Sequence, residues 1–151
     1  MKRSIDRILV THVGSLARPK DLMDMLLARN EGKRFDNSAL ARRTREAVAQ
    51  VVEKQIECGV DVINDGELGK SNFSRYTKER LGGFVERAAS PDFKPTSIFG
   101  RDMLEFTEYF NRGGRTSIGH HARVFYCVEP LSYIGQEEVK ADITNLKNAL
   151  Q

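Results

Sequence analysis

The 151-residue chain is 40% hydrophobic and 30% charged, the composition of a chain that folds around a core and not of a disordered tail. Its 24 Lys and Arg nearly cancel 21 Asp and Glu, and the resulting formal net charge of +3 points to no polyanionic partner. No stretch approaches the roughly 20 apolar residues of a spanning helix, and Arg42, Arg43 and Arg45 share their segment with Glu46, Glu53 and Glu57 as on a solvated helix face, so neither a membrane nor a nucleic acid is expected as partner.

Residues 1–7 alternate charge with Ile5, and the apolar run 8–10 is too short for the core of a secretory signal, so a cytoplasmic protein is expected. Residues 8–13 (Ile-Leu-Val-Thr-His-Val) form a β-branched run ending in Gly14-Ser15, the pattern of a buried parallel strand feeding a loop. A helix then opens near Pro19, with Leu22, Met25, Leu26 and Arg29 at helical spacing until Gly32. From Ser38 a long amphipathic helix carries Leu40, Ala47, Val48, Val51, Val52 and Ile56 on one stripe, and Gly59 caps it. Residues 60–64 read as a second strand, with Asp65-Gly66-Glu67 as the loop at its C-terminal end. Strand, long crossover and strand predict a parallel βαβ unit.

Residues 73–84, with Phe73, Tyr76, Leu81 and Phe84, predict a short helix closed by Gly82-Gly83. The stretch 86–121 holds Pro91, Pro95, Gly100, Gly113 and Gly114 around a helix predicted over 102–110, and reads as an excursion. Residues 123–128 predict a third strand, Pro130 a loop, and Val139, Ile143, Leu146 and Leu150 one face of a final helix. The expected fold class is α/β, with about three βα units and parallel strands in a single domain over 1–151. Cys58 and Cys127 lie far apart in sequence and are expected as buried reduced thiols.

In parallel α/β proteins, functional groups gather where strands end. Two motifs fall there: His12-Val13-Gly14-Ser15 with Arg18-Pro19 behind it, and Asn64-Asp65-Gly66-Glu67. Singly each reads as an ordinary turn. Together, a hydroxyl and amide donors facing a carboxylate suit a zwitterionic amino acid held at both ends. His12 at its strand end and Asp65 beside Glu67 are secondary candidates. Lys70 and Arg75 read first as surface cations, and the pair His120-His121 reads as a loop before it reads as a metal site.

Residues 11–16 (Thr-His-Val-Gly-Ser-Leu) with Arg18-Pro19, followed by residues 59–67 (Gly-Val-Asp-Val-Ile-Asn-Asp-Gly-Glu), resemble the opening of the cobalamin-independent methionine synthase family. Residues 81–84, 129–133 and 142–146 also resemble family segments, whereas 88–121 matches poorly. The resemblance implies the N-terminal portion of a TIM (β/α)8 barrel, too short to close, since such barrels take ~250 residues. It implies methyl transfer from a methyltetrahydrofolate to a zinc-bound homocysteine thiolate, without cobalamin. Carried over by residue, it places Val13, Gly14 and Ser15 at the amino acid's carboxylate and Glu67 at its ammonium. The family's zinc ligands, a His-x-Cys pair, a Glu and a further Cys, match nothing in this chain. Ala17, where relatives often carry Pro, and Glu129, where many carry Gly, depart from the family pattern.

Three readings stay open: part of a zinc-dependent methyltransferase, an inert truncated barrel that binds or assembles, and a thiol alkyltransferase or decarboxylase of the same superfamily. An incomplete parallel barrel leaves strand edges and apolar faces uncovered, so self-association or poor solubility is expected.

Overall fold

The computed structural model describes residues 3–88, 100–112 and 123–151. In chain order the elements are α1 (Lys20–Asn30), α2 (Asn37–Glu57), α3 (Phe73–Glu79), β1 (Leu81–Ala88), α4 (Gly100–Glu105), α5 (Thr107–Arg112), β2 (Arg123–Tyr133) and α6 (Gln136–Ala149). They fall into two units, Met1–Arg80 with Tyr133–Gln151, and Leu81–Ser132. The fold is mixed α and β.

The first unit is built on α2. Asp36 accepts hydrogen bonds from the Ser38 and Ala39 N–H groups at 2.8 and 3.1 Å, satisfying donors the first turn would leave unpaired. At its far end the Gly59 N–H donates to Ile56 O and the Val60 N–H to Gln55 O, at 2.9 and 3.0 Å. That paired closure is a Schellman motif, and the same pair ends α1 through Gly32 and Lys33. Leu22 and Leu26 of α1 meet Leu40, Ala47, Val48 and Val52 of α2 and Leu68 of the following loop in one core. Leu16, Ile63, and Leu146 and Ala149 of α6 pack against it. Arg43 of α2 grips Asp21 of α1 at 2.5 and 3.1 Å, holding that carboxyl below its ordinary range.

The α2 stripe differs from the expected one at its end: Gln55 is buried, at 5% exposure, whereas Ile56 is 54% exposed. The Gln55 amide has polar partners inside, described below, which the side chain of Ile56 would lack. On α6 the inward face is Leu146 and Ala149, while Ile143 and Leu150 are about half exposed.

The segments 8–13 and 60–64, expected as paired strands, form no ladder and meet in one isolated bridge of parallel sense, Thr11 with Val62. Val10 O accepts from the Asp61 and Val62 N–H groups at 2.9 and 3.2 Å, and Arg7 pairs with the Asp61 carboxylate. Parallel strands are stable when both faces are covered; here Ile8 is 86% exposed and Val10 and Val62 are also exposed.

In the second unit β1 and β2 form a two-stranded antiparallel sheet. The helix expected over 73–84 ends at Glu79, and Gly82-Gly83 belong to β1 instead of closing it. Gly83 has φ +93, and a Cβ there would stand 2.7 Å from Glu129 O, so close approach of the two strands requires glycine. The expected third strand extends through Pro130 to Tyr133; a strand with one paired edge tolerates the missing N–H. The helix expected over 102–110 is two short helices, α4 and α5. The remainder of the expected excursion, 89–99 and 113–122, lies outside the described residues, as does the pair His120-His121.

Both cysteines are free and exposed, contrary to the buried thiols expected. Cys58 caps the C-terminus of α2, and Cys127 lies on a strand of a sheet too small to enclose it. Among the described residues no helix is long and apolar enough to cross a membrane.

Candidate functional site

Two loops meet in the first unit, residues 12–18 after the first parallel segment and residues 64–70 after the second. The Leu16 N–H donates to Gly66 O at 2.9 Å. Gly66 is buried with φ +60, and an added Cβ would sit 3.0 Å from Leu16 Cδ1, so the contact depends on the absent side chain. Across this seam the Ser15 hydroxyl donates to Glu67 Oε2 at 2.7 Å.

Arg18 latches the two loops. Its Nη2 donates to Glu67 O at 2.9 Å, to Lys70 O at 2.6 Å and to Ser15 Oγ at 3.3 Å, and its Nε donates to Leu68 O at 3.3 Å. Burial pushes the guanidinium down from its ordinary value and the Glu67 charge counters that shift. Glu67 itself has φ +55, in the left-handed region that a non-glycine residue adopts only when its surroundings hold it there.

The structure therefore brings Ser15 and Glu67 together. Val13, 90% exposed, and Gly14, with φ +86, precede Ser15 on the open side of the first loop. Asp65 is taken up by the turn: its Oδ1 accepts from the Glu67 N–H at 3.0 Å and its Oδ2 lies 3.3 Å from Lys70 Nζ. His12 contributes its backbone carbonyl, which accepts from Asn64 Nδ2 at 2.7 Å. Its Nε2 is enclosed, with no hydrogen-bond partner among the described residues. Lys70 Nζ also lies 5.0 Å from the Tyr76 ring, and Arg75 donates to Glu79 at 2.7 Å.

Sequence reasoning placed Arg18 and Asn64 in the two loop motifs without a role of their own and did not name Gln55. The signal for Gln55 was present: it follows Val48 and Val52 at helical spacing, a polar residue on an otherwise apolar stripe. The latching role of Arg18 had no such signal, because its carbonyl partners become visible only when the second loop folds over it. Among the described residues no group of three or more His, Cys, Asp or Glu is arranged to hold a metal ion.

In α/β proteins, loops at segment ends are where small ligands are commonly bound, and both loops take that position. The chain belongs to the family described as "Cobalamin-independent synthase, Catalytic domain", which it matches over residues 8–91, a stretch containing both loops. It is 33% identical over 84 residues to a methionine synthase of Sulfolobus acidocaldarius, covering 56% of this chain and 24% of that protein. Similarity to the methionine synthase of Saccharolobus solfataricus is 34% over 74 residues, covering 49% and 22%. Similarity to the 5-methyltetrahydropteroyltriglutamate–homocysteine methyltransferase of Coxiella burnetii is 28% over 97 residues, covering 60% and 12%. The chain thus spans a quarter or less of the length of these relatives. No solved structure matches it.

Proposed function

We propose that this chain carries the amino-acid grip of a cytoplasmic methyltransferase of methionine synthesis, within the N-terminal portion of a TIM-type barrel. The methyl acceptor is a homocysteine-like thiol and the donor a methylated folate, the pair named for the Coxiella burnetii relative. The carrying observation is the 2.7 Å hydrogen bond between Ser15 and Glu67 inside the matched stretch.

In this reading the ligand's ammonium donates to Glu67 Oε2, taking over the contact that the Ser15 hydroxyl now makes. The freed hydroxyl turns to the ligand's carboxylate, joined by the exposed backbone at Val13 and Gly14. One hydrogen bond is exchanged for several charge-assisted ones, which favours the zwitterion over an amine or an acid alone. Arg18 stays bonded to the carbonyls and keeps the two ends of the grip at fixed spacing. Family chemistry supplies a thiolate through zinc. The described residues do not fit such a site.

Calorimetric titration with L-methionine tests the grip. Saturable binding is expected, weakened at least about tenfold in Glu67→Gln, as when one charged hydrogen-bond partner is lost. Equal affinity in that variant, or no binding by the natural chain, contradicts the reading. A second reading, a chain that functions by assembly, is favoured by the exposed Ile8, Val10 and Val13 and is tested by the oligomeric state.

A further inference from the structure

We infer that Gln55 and Asn64 are positioning residues that set the spacing of Ser15 and Glu67, a role that rests on the amino-acid grip proposed above. Gln55 lies in the last turn of α2 and is 5% exposed, the one buried polar residue among the described side chains. Its Nε2 donates to Asn64 O at 2.8 Å and to Val51 O at 3.1 Å, and its Oε1 accepts from the Asn64 N–H at 3.2 Å. One side-chain amide thus pairs with both backbone groups of Asn64, as a neighbouring strand would.

The Asn64 side chain passes this anchoring on to both loops. Its Nδ2 donates to His12 O at 2.7 Å, three residues before Ser15, and its Oδ1 accepts from the Gly66 N–H at 2.9 Å, directly before Glu67. Gly66 O in turn accepts from the Leu16 N–H, which follows Ser15. Backbone groups of both loops, at His12 and at Gly66, are therefore tied to a single carboxamide, whose own backbone is held by the buried Gln55. A carboxamide is needed: aspartate at 64 keeps the acceptor for Gly66 but places an oxygen against His12 O, and glutamate at 55 places one against Asn64 O.

The test compares the ligand-free chain and its L-methionine complex for Asn64→Asp, Gln55→Glu and the core control Val48→Ala. In Asn64→Asp and Gln55→Glu the amide resonances of Ser15, Leu16 and Glu67 move before any ligand is added. Affinity falls about tenfold, as expected when one buried hydrogen bond is replaced by a repulsive contact. Val48→Ala loses stability but keeps those resonances and its affinity. Unmoved resonances in both amide variants overturn the inference, as does an affinity loss in Val48→Ala equal to theirs. If the natural chain binds no L-methionine, the grip itself fails; the ligand-free resonances still decide whether the amide pair positions the loops. Should either variant unfold, Asn64→Gln and Gln55→Asn, which keep the amide at a different reach, take its place under the same criteria.

Discussion

At Glu67 the backbone takes a left-handed conformation that costs a non-glycine residue on the order of 1 kcal/mol or more. Its carbonyl is held by Arg18 and by the Lys70 N–H, and its own N–H by Asp65, so the surrounding bonds over-determine the conformation. The result is a carboxylate aimed back across the seam at Ser15, the contact that the proposed ligand's ammonium would take over. Gly66 makes that seam close, and Gly66→Ala meets both a positive φ and the Leu16 side chain. We expect this substitution to cost roughly 1–3 kcal/mol in urea unfolding and to weaken L-methionine binding as well. A loss of stability with full retention of binding would separate the seam from the grip.

Among the elements, α2 carries the core and α3 and α6 clasp each other. Leu22→Ala removes a fully buried side chain from the α1–α2 contact and should cost roughly 2–5 kcal/mol. The clasp joins the Tyr76 hydroxyl and the Arg80 guanidinium to Asp142, each at 3.0 Å, with Arg80 stacked 3.5 Å over the Tyr76 ring. Burial first, and then the bond to Asp142, push the Tyr76 phenol from 10.0 up to about 12. The folded chain therefore holds this proton more tightly than the unfolded chain. Its contribution is complete below about pH 10 and is lost as pH rises to about 12. Unfolding titrations across that window should show a fall in stability that Tyr76→Phe reduces; an identical fall in the variant would contradict the clasp.

Helices α1 and α2 were legible in the sequence because C-terminal capping and periodicity are local: Gly32 and Gly59 mark real ends, and the Leu22, Leu26, Val48 and Val52 spacing marks the real core, whereas the cap at Asp36 was not read. Meeting of Ser15 with Glu67 was legible through two loop motifs and a resemblance, neither of which fixes a distance. Strand pairing was less so. Gly82-Gly83 reads locally as a helix stop, and only the close backbone of β2 explains why those glycines lie within a strand. Gln55 took the place expected of Ile56 because a buried amide satisfied by Asn64 outcompetes an apolar side chain there.

At the scale of the whole molecule, apolar side chains along the first parallel segment remain uncovered, with Ile8 86% and Val13 90% exposed. Such a row beside a single parallel bridge is a ready surface for association. Sedimentation should show concentration-dependent assembly that Ile8→Lys reduces; a monodisperse monomer across the concentration range would count against this expectation. The proposed grip holds an amino acid at both ends. Its most direct measurement is an NMR titration of the 151-residue chain with L-methionine, N-acetyl-L-methionine and L-methionine methyl ester. L-methionine is expected to shift the Ser15 and Glu67 resonances in a saturable way, and each blocked analogue, lacking one charged end, to bind at least about tenfold more weakly. Equal shifts from all three ligands, or none from L-methionine, would contradict it.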